Sequence, residues 1–311
     1  MISEANRRMH LSRVATEHQQ EWLYKCIKFF RIFANYMKTR TAPIYCFPVA
    51  TLITIILGEQ GNIDPYLVIR TVLGSYFLGL ATYVYNDLTD FEVDKINKTN
   101  RPSVTGKTTK PQLVTIVCIM FGIGFSLTAF INYYTFCISG LFTILGIVYS
   151  HPQFKLKDKF PLKTVVTASG AALLSLLGGA AVINTSAPIL YTSFSFFIFY
   201  FILSPLGDIG DIKGDRAVGR RTFPVVIGMK ATLLIMFSVP CIIMTMTGLA
   251  YAALDMNMLG VYAIISNCLV IIIVTLYMSN RLNDSPAIKS MRPKMRHLNV
   301  MMQISMLLAF L

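Results

Sequence analysis

Nine stretches of the chain are nearly unbroken apolar runs, each bounded by polar residues. They fall at about 42–58, 66–86, 112–131, 133–150, 164–183, 189–206, 231–252, 256–279 and 298–311. An apolar helix of about 20 residues, rising roughly 1.5 Å per residue, crosses the hydrocarbon core of a bilayer. The pattern therefore predicts an all-α polytopic membrane protein, with about nine transmembrane helices in a bundle. The last run is short and reaches Leu311. Ahead of the first run the pattern changes. Residues 1–20 are polar, include Arg7, Arg8 and Arg13, and do not read as a signal peptide. Trp22, Cys26, Phe29, Phe33 and Met37 then recur at helical spacing, with Lys25, Lys28 and Arg31 between them. This spacing fits a basic amphipathic helix on the inner leaflet, or the wet end of the first span. The expected organisation is a basic cytoplasmic segment, 1–40, and a transmembrane domain, 41–311.

Composition agrees. Of 311 residues, 54% are hydrophobic and 14% charged, where soluble proteins carry roughly 25% charged residues. A soluble globule, a disordered chain and a disulfide-stapled secreted domain are all excluded. The net charge of +13, from 28 Lys and Arg against 15 Asp and Glu, would suggest nucleic acid on a soluble protein. Its placement says otherwise. The N-terminal segment holds 8 of these cations and the loops after runs 2, 4, 6 and 8 hold 5, 4, 5 and 5, leaving only Arg70 on the other face. That is the positive-inside pattern, which sets the N-terminus and the even-numbered loops in the cytoplasm and calls for no nucleic acid. The six cysteines stand singly without C-x-x-C spacing, as packing residues and not as a zinc or disulfide framework.

The acids are few but clustered. Asp87, Asp90, Glu92 and Asp94 follow the second run, and Asp208, Asp211 and Asp215 follow the sixth. Both groups contain Asp-x-x-Asp-x-x-x-Asp, whose three carboxylates share one face of a helix. All three positions are offset by 121 residues, from 87 to 208, 90 to 211 and 94 to 215. The offset suggests two pseudo-repeated four-helix units whose acidic faces meet across a central cavity. Carboxylates gathered at a membrane mouth repel and are costly to desolvate, and a hard divalent cation compensates them best. The basic residues that follow, Lys95, Lys98 and Arg101 after the first group and Lys213, Arg216, Arg220 and Arg221 after the second, suit a polyphosphate.

These residues resemble the signatures of the UbiA superfamily of intramembrane prenyltransferases. Asn86-Asp87-Leu88-Thr89-Asp90-Phe91-Glu92-Val93-Asp94 is similar to its first motif, with Asn100-Arg101-Pro102 after it. Asp208, Asp211, Asp215, Arg216, Gly219, Thr222 and Pro224 match the second. Tyr149-Ser150-His151-Pro152 and Lys155-Leu156-Lys157 are similar to a loop between them, with Gln153 in place of a second proline and Lys155 in place of arginine.

The resemblance implies a Mg²⁺-dependent transfer of a prenyl group from an allylic prenyl diphosphate to a lipophilic acceptor, within the cell membrane and without an obligate protein partner. By that analogy Asn86, Asp87, Asp90, Asp94, Asp211 and Asp215 hold the metal, and Asp208 orients ligands or accepts a proton. Arg101, Lys155 and Lys157 grip diphosphate and Tyr149 hydrogen-bonds it. Tyr83, Tyr85 and the aromatic run 194–201 are candidates to face the allylic cation. The acceptor stays open between an aromatic quinone precursor and a prenylglycerol phosphate. An acceptor-free terpene cyclase and a lipid transporter or binding protein are the other classes that such a cavity serves.

Overall fold

The computed structural model describes residues 2–59, 61, 63–97, 101–282 and 284–311, and the side chains of all of these except 2–18, 41–43 and 285. Lys98 and Asn100 lie outside the described residues. The chain is all-helical among the described residues, in the order α1 (Ile2–Ile44), α2 (Cys46–Gly58), α3 (Pro65–Thr89), α4 (Phe91–Ile96), α5 (Lys110–Ala129), α6 (Tyr133–Ser150), α7 (Leu162–Ala181), α8 (Ala187–Ile209), α9 (Ile212–Ala217), α10 (Phe223–Val226), α11 (Gly228–Ala253), α12 (Met258–Ser279) and α13 (Ser285–Phe310).

Each apolar run forms a helix, but the nine are not equivalent. Seven of them, α3, α5, α6, α7, α8, α11 and α12, are long and apolar enough to cross a bilayer, and they make the chain a multi-pass membrane protein. The first expected span is shorter than its apolar run, because α2 has only 13 residues. Pro48 has no N–H to donate to the carbonyl of Ile44, and the helix breaks at Tyr45. The ninth starts earlier than expected: α13 has 26 residues, and its first half carries Lys289, Arg292, Lys294 and Arg296.

The N-terminal amphipathic stripe is part of α1, which runs without interruption past residue 40. Its two ends differ. Trp22, Leu23, Tyr24, Ile27 and Phe30 are exposed, whereas Ile32 and Tyr36 are buried and Phe29, Phe33 and Met37 pack on the core. The last third of α1 is thus docked on the bundle, against α3.

Small residues and hydroxyls let the helices approach closely, as expected where lipid supplies no hydrophobic drive between them. A Cβ on Gly124 of α5 would lie 2.8 Å from the Leu78 amide of α3, and one on Gly178 of α7 would lie 2.1 Å from the Thr51 carbonyl of α2. Across the second contact Thr51 Oγ1 donates to the Leu174 carbonyl at 2.7 Å, and Thr54 donates to the carbonyl of Ser175.

The internal repeat is visible in the backbone. α4 starts at Phe91 and α9 at Ile212, and they end at Ile96 and Ala217, an offset of 121 residues at both ends. Each half has a long helix, a bend at an aspartate and a six-residue helix. α4 and α9 lie against each other at one end of the bundle.

Candidate active site

The bends decide where the carboxylates go. Asp90 and Asp211 leave the helical region, with φ −101° and −117°, and each becomes the N-cap of the short helix that follows. Asp87 and Asp208 remain in the last turn of α3 and α8, while Asp94 and Asp215 lie in α4 and α9. All six line one cavity of about 430 Å³, with Asn86, Tyr149 and Arg101. The roof is fastened where the Asn97 side-chain carbonyl, beyond α4, accepts the Gly214 N–H of α9 at 3.0 Å. The opposite end of the cavity is apolar, built from Phe47, Phe142, Leu145, Val166, Tyr200 and Leu203.

Every aspartate of the two triplets faces a cation. Arg40, from α1, grips Asp87 with two nitrogens, one at 2.7 Å, and Arg101 lies 3.0 Å from the same carboxylate while also bonding Asp94. Lys157 and Arg220 both lie 2.6 Å from Asp90. Arg220 continues to Asp158 at 2.7 Å and to Asp215 at 3.5 Å. Lys163 bonds Asp208, and Lys289 reaches Asp211 at 3.7 Å. Asn86 donates to Asp90 at 2.8 Å, and its carbonyl accepts from Ser150 at 3.1 Å and Lys157 at 3.3 Å.

Burial and charge act in opposite directions on these groups. Desolvation raises Asp90, but Lys157 and Arg220 outweigh it and hold the carboxyl well below its usual range. At Asp94 burial wins: it pushes the carboxyl up to about 7 against the pull of Arg101, with Asp87 and Asp90 adding like-charge repulsion. Asp215 is likewise raised by burial to about 6, with Lys163 opposing and Asp208 reinforcing. The site therefore has carboxylates in two states near neutral pH, an arrangement that favours a further cation.

The residues fit Mg²⁺. The donors are all oxygens, from carboxylates and the Asn86 amide, as a hard cation requires. Asp208 Oδ2 and Asp215 Oδ1 are buried and accept no hydrogen bond. Among the described residues no three acids converge tightly enough to hold an ion by themselves. This too suits Mg²⁺, which is bound through one or two carboxylates plus substrate phosphates.

Four residues expected at diphosphate, Lys95, Lys155, Lys157 and Arg216, do not line the cavity. Lys95 and Arg216 follow Asp94 and Asp215 directly, so when the acids point inward the next residue, about 100° around the helix, points out. Lys155 is exposed on a left-handed turn, φ 45°, while Lys157 two residues on is buried against Asp90. Of the aromatic candidates Tyr83 and Tyr200 line the cavity and Tyr85 does not, and Phe47 stacks on Tyr200 at 5.8 Å. Arg220, one of the basic residues read as suiting a polyphosphate, lines the cavity, and so do Arg40, Lys163, Arg292 and Arg296, which the sequence reading missed. Those four had no signal of their own: Arg40 falls in the basic N-terminal segment and the other three in the loops after runs 4 and 8, where the positive-inside pattern already accounts for a cation.

Comparison with known proteins agrees with this architecture. Residues 47–300 match the UbiA prenyltransferase family. A digeranylgeranylglyceryl phosphate synthase of Sulfurisphaera tokodaii is 30% identical over 185 residues, 57% of this chain and 63% of that one. A digeranylgeranylglyceryl phosphate synthase of Pyrococcus furiosus is 30% identical over 150 residues, 48% of this chain and 53% of its own. The chain thus spans between about half and two thirds of the length of the curated relatives it matches. Among solved structures, a UbiA homologue from Archaeoglobus fulgidus bound to GPP and Mg²⁺ superposes with a TM-score of 0.66 at 18% identity, covering 90% of this chain and 99% of its own. A structure concerned with digeranylgeranylglyceryl phosphate synthase in membranes gives a TM-score of 0.69 at 17% identity, with 91% and 98% covered. At these identities the likeness is one of fold.

Proposed function

The chain belongs to the UbiA prenyltransferase family, and from that premise we propose that it transfers a polyprenyl group from an allylic prenyl diphosphate to the hydroxyl of a prenylglycerol phosphate. The observation that carries the reading is the pair of aspartate triplets from α3–α4 and α8–α9, which share one cavity with an apolar far end. The choice of acceptor is supported by the relatives, named as digeranylgeranylglyceryl phosphate synthases. The partition of Lys and Arg supports a cytoplasmic roof, with the substrate tails lying in the membrane.

Asp87, Asp90 and Asp94 of the first motif and Asp211 and Asp215 of the second would hold Mg²⁺, with Asn86 beside them. When bound, the metal neutralises charge on the departing diphosphate. The chain's own cations do the rest. Arg101, Lys157 and Arg220, each buried or half-buried beside the motif carboxylates, would donate to the diphosphate oxygens. Leaving-group charge is thereby stabilised in a site of low dielectric, where fixed donors are worth more than in water. Tyr83, Tyr149 and Tyr200 line the path between the two ends and offer π faces to the allylic cation. Asp208 has one buried oxygen without a hydrogen bond, the group best placed to take the proton of the attacking hydroxyl.

The test is mass spectrometry of products from the purified full chain with Mg²⁺, geranylgeranyl diphosphate and a panel of acceptors. The reading expects an ether product with the prenylglycerol phosphate and none in excess EDTA. Product formed without any acceptor, or only with an aromatic one, would replace it.

A further inference from the structure

The cavity has more cations than its aspartates employ. Arg40, Arg101, Lys157, Lys163 and Arg220 each lie within ion-pair distance of a motif carboxylate. Arg292 and Arg296 of α13 also line the cavity, yet among the described residues neither has a carboxylate within that distance. Arg296 Nε is buried and has no hydrogen-bond partner. The carboxylate of Asp208, which shares the cavity, is already bonded to Lys163. A guanidinium does not shed its proton, so an unpaired one in a membrane cavity is a standing cost unless an anion joins it.

Their arrangement suits one small anion. Positions 292 and 296 are one turn apart on the same face of α13, about 6 Å along its axis. The fold makes room for the first of them: a Cβ at Gly207 of α8 would come within 2.6 Å of Arg292 Nη2, so the guanidinium lies flat on bare backbone. The second lies one turn further along α13, and that helix runs on into apolar residues as far as Phe310.

We infer that Arg292 and Arg296 form a second anion subsite, on the α8–α13 side of the cavity, that receives the phosphate monoester of the acceptor. This rests on the transferase reading and deepens it. A dianionic phosphate matches two guanidiniums in charge, and its oxygens accept from both forks at once. Held there, next to the turn of α8 that bears Asp208, the head group presents its hydroxyl to the buried Asp208 oxygen. The same pair disfavours an uncharged acceptor, because that would leave two half-buried cations without a counter-ion.

The experiment measures binding and turnover separately, with full-length protein in detergent. Geranylgeranylglycerol phosphate and its dephosphorylated alcohol are titrated in EDTA, where no turnover occurs, against wild type, Arg292→Gln, Arg296→Gln and Arg296→Lys. The phosphate form should bind at least tenfold more tightly than the alcohol to wild type. Each Gln variant should lose most of that preference, and Arg296→Lys should retain part of it. In turnover assays the Gln variants should raise KM for the phosphorylated acceptor tenfold or more, while KM for prenyl diphosphate moves less than twofold. Melting temperatures within a few degrees of wild type identify the folded variants, and either arginine suffices for the test. Equal binding of phosphate and alcohol by wild type overturns the subsite, as does an equal rise in KM for prenyl diphosphate. Arginine-dependent binding without turnover would uphold the subsite and sink the transferase reading. Turnover of the alcohol as fast as the phosphate would do the reverse.

Discussion

Arg220 joins three segments of chain through three different nitrogens: Nη2 to Asp90, Nε to Asp158 and Nη1 to Asp215. It is buried, and the carboxylates around it hold its guanidinium above the ordinary arginine range although burial opposes them. A lysine has one nitrogen on a flexible stem and cannot reproduce that fork. Arg220→Lys should therefore be nearly as damaging as Arg220→Ala, each costing about 3–5 kcal/mol of stability where a buried pair is broken. Thermal unfolding of both variants checks this, and a lysine variant that melts like wild type would show that charge alone matters. The raised carboxyls give a second expectation. In the metal-free protein Asp94 titrates at about 7 and Asp215 at about 6. Below these values each holds a proton that a cation must displace. The Mg²⁺ concentration for half-maximal activity should thus rise about tenfold between pH 8 and pH 6 for the Asp94 proton alone. The sign for stability is the opposite one. Unfolded carboxyls release their protons near pH 4, so in the absence of metal these two groups favour the fold at low pH and lose that contribution as pH rises toward 7. A flat Mg²⁺ requirement across pH 6–8 would contradict the burial argument.

Among the elements, the two short helices have the greatest effect for their length. α4 and α9 turn their long helices back over the cavity, and their contact depends on a residue without a side chain. A Cβ on Gly214 would come within 2.4 Å of the Asn97 amide nitrogen, at the site where the Gly214 N–H reaches Asn97. Gly214→Ala should push α4 and α9 apart by some tenths of an ångström and cost about 1–3 kcal/mol. Because the contact sets the spacing of the two triplets, activity should fall at least tenfold while the protein still folds. Mg²⁺-dependent turnover, measured beside the melting temperature, separates the two effects. Unchanged turnover would mean that the triplets are spaced by α3 and α8 alone. α1 contributes differently. It delivers Arg40 to Asp87 from a segment that the apolar pattern sets apart from the domain, so the site is partly built by an element outside the seven long apolar helices.

For the molecule as a whole, the cavity has two ends with different physics. The diphosphate end is a network of buried charges, each dependent on its partner. The far end is a greasy slot between helices, and about 430 Å³ is toward the lower end of the range of roughly 300–1,000 Å³ for small-molecule sites. The two long lipids of the proposed reaction would not fit whole in that volume, and their tails would extend among the helices and into lipid. Each buried CH₂ adds roughly 0.8 kcal/mol without setting a limit, whereas a missing phosphate strands several cations and carboxylates. kcat/KM should change less than tenfold across C15, C20 and C25 diphosphates and fall by orders of magnitude for the C20 monophosphate. A sharp cutoff at one chain length, or good turnover of the monophosphate, would place recognition at the other end.

The class of fold, the repeat and most of the acids were legible because they are written locally. Apolar runs of helical length have one solution in a bilayer, and an aspartate triplet at the same offset in both halves stays a triplet whatever surrounds it. Tyr149 and Arg101, which line the cavity, and Lys157, which pairs with Asp90, stand in motifs that the sequence displays. Side-chain direction was not. Lys95, Lys155 and Arg216 sit in the right motifs and point away, since one residue turns a helix by about 100° and a left-handed turn reverses a loop. Nor could the sequence pair Arg40 with Asp87 or set Arg292 beside Gly207, because partners 47 or 85 residues apart meet only when the bundle closes. Which charges exist is a property of the chain. Which of them are neutralised, and which are left waiting for an anion, is decided by packing alone.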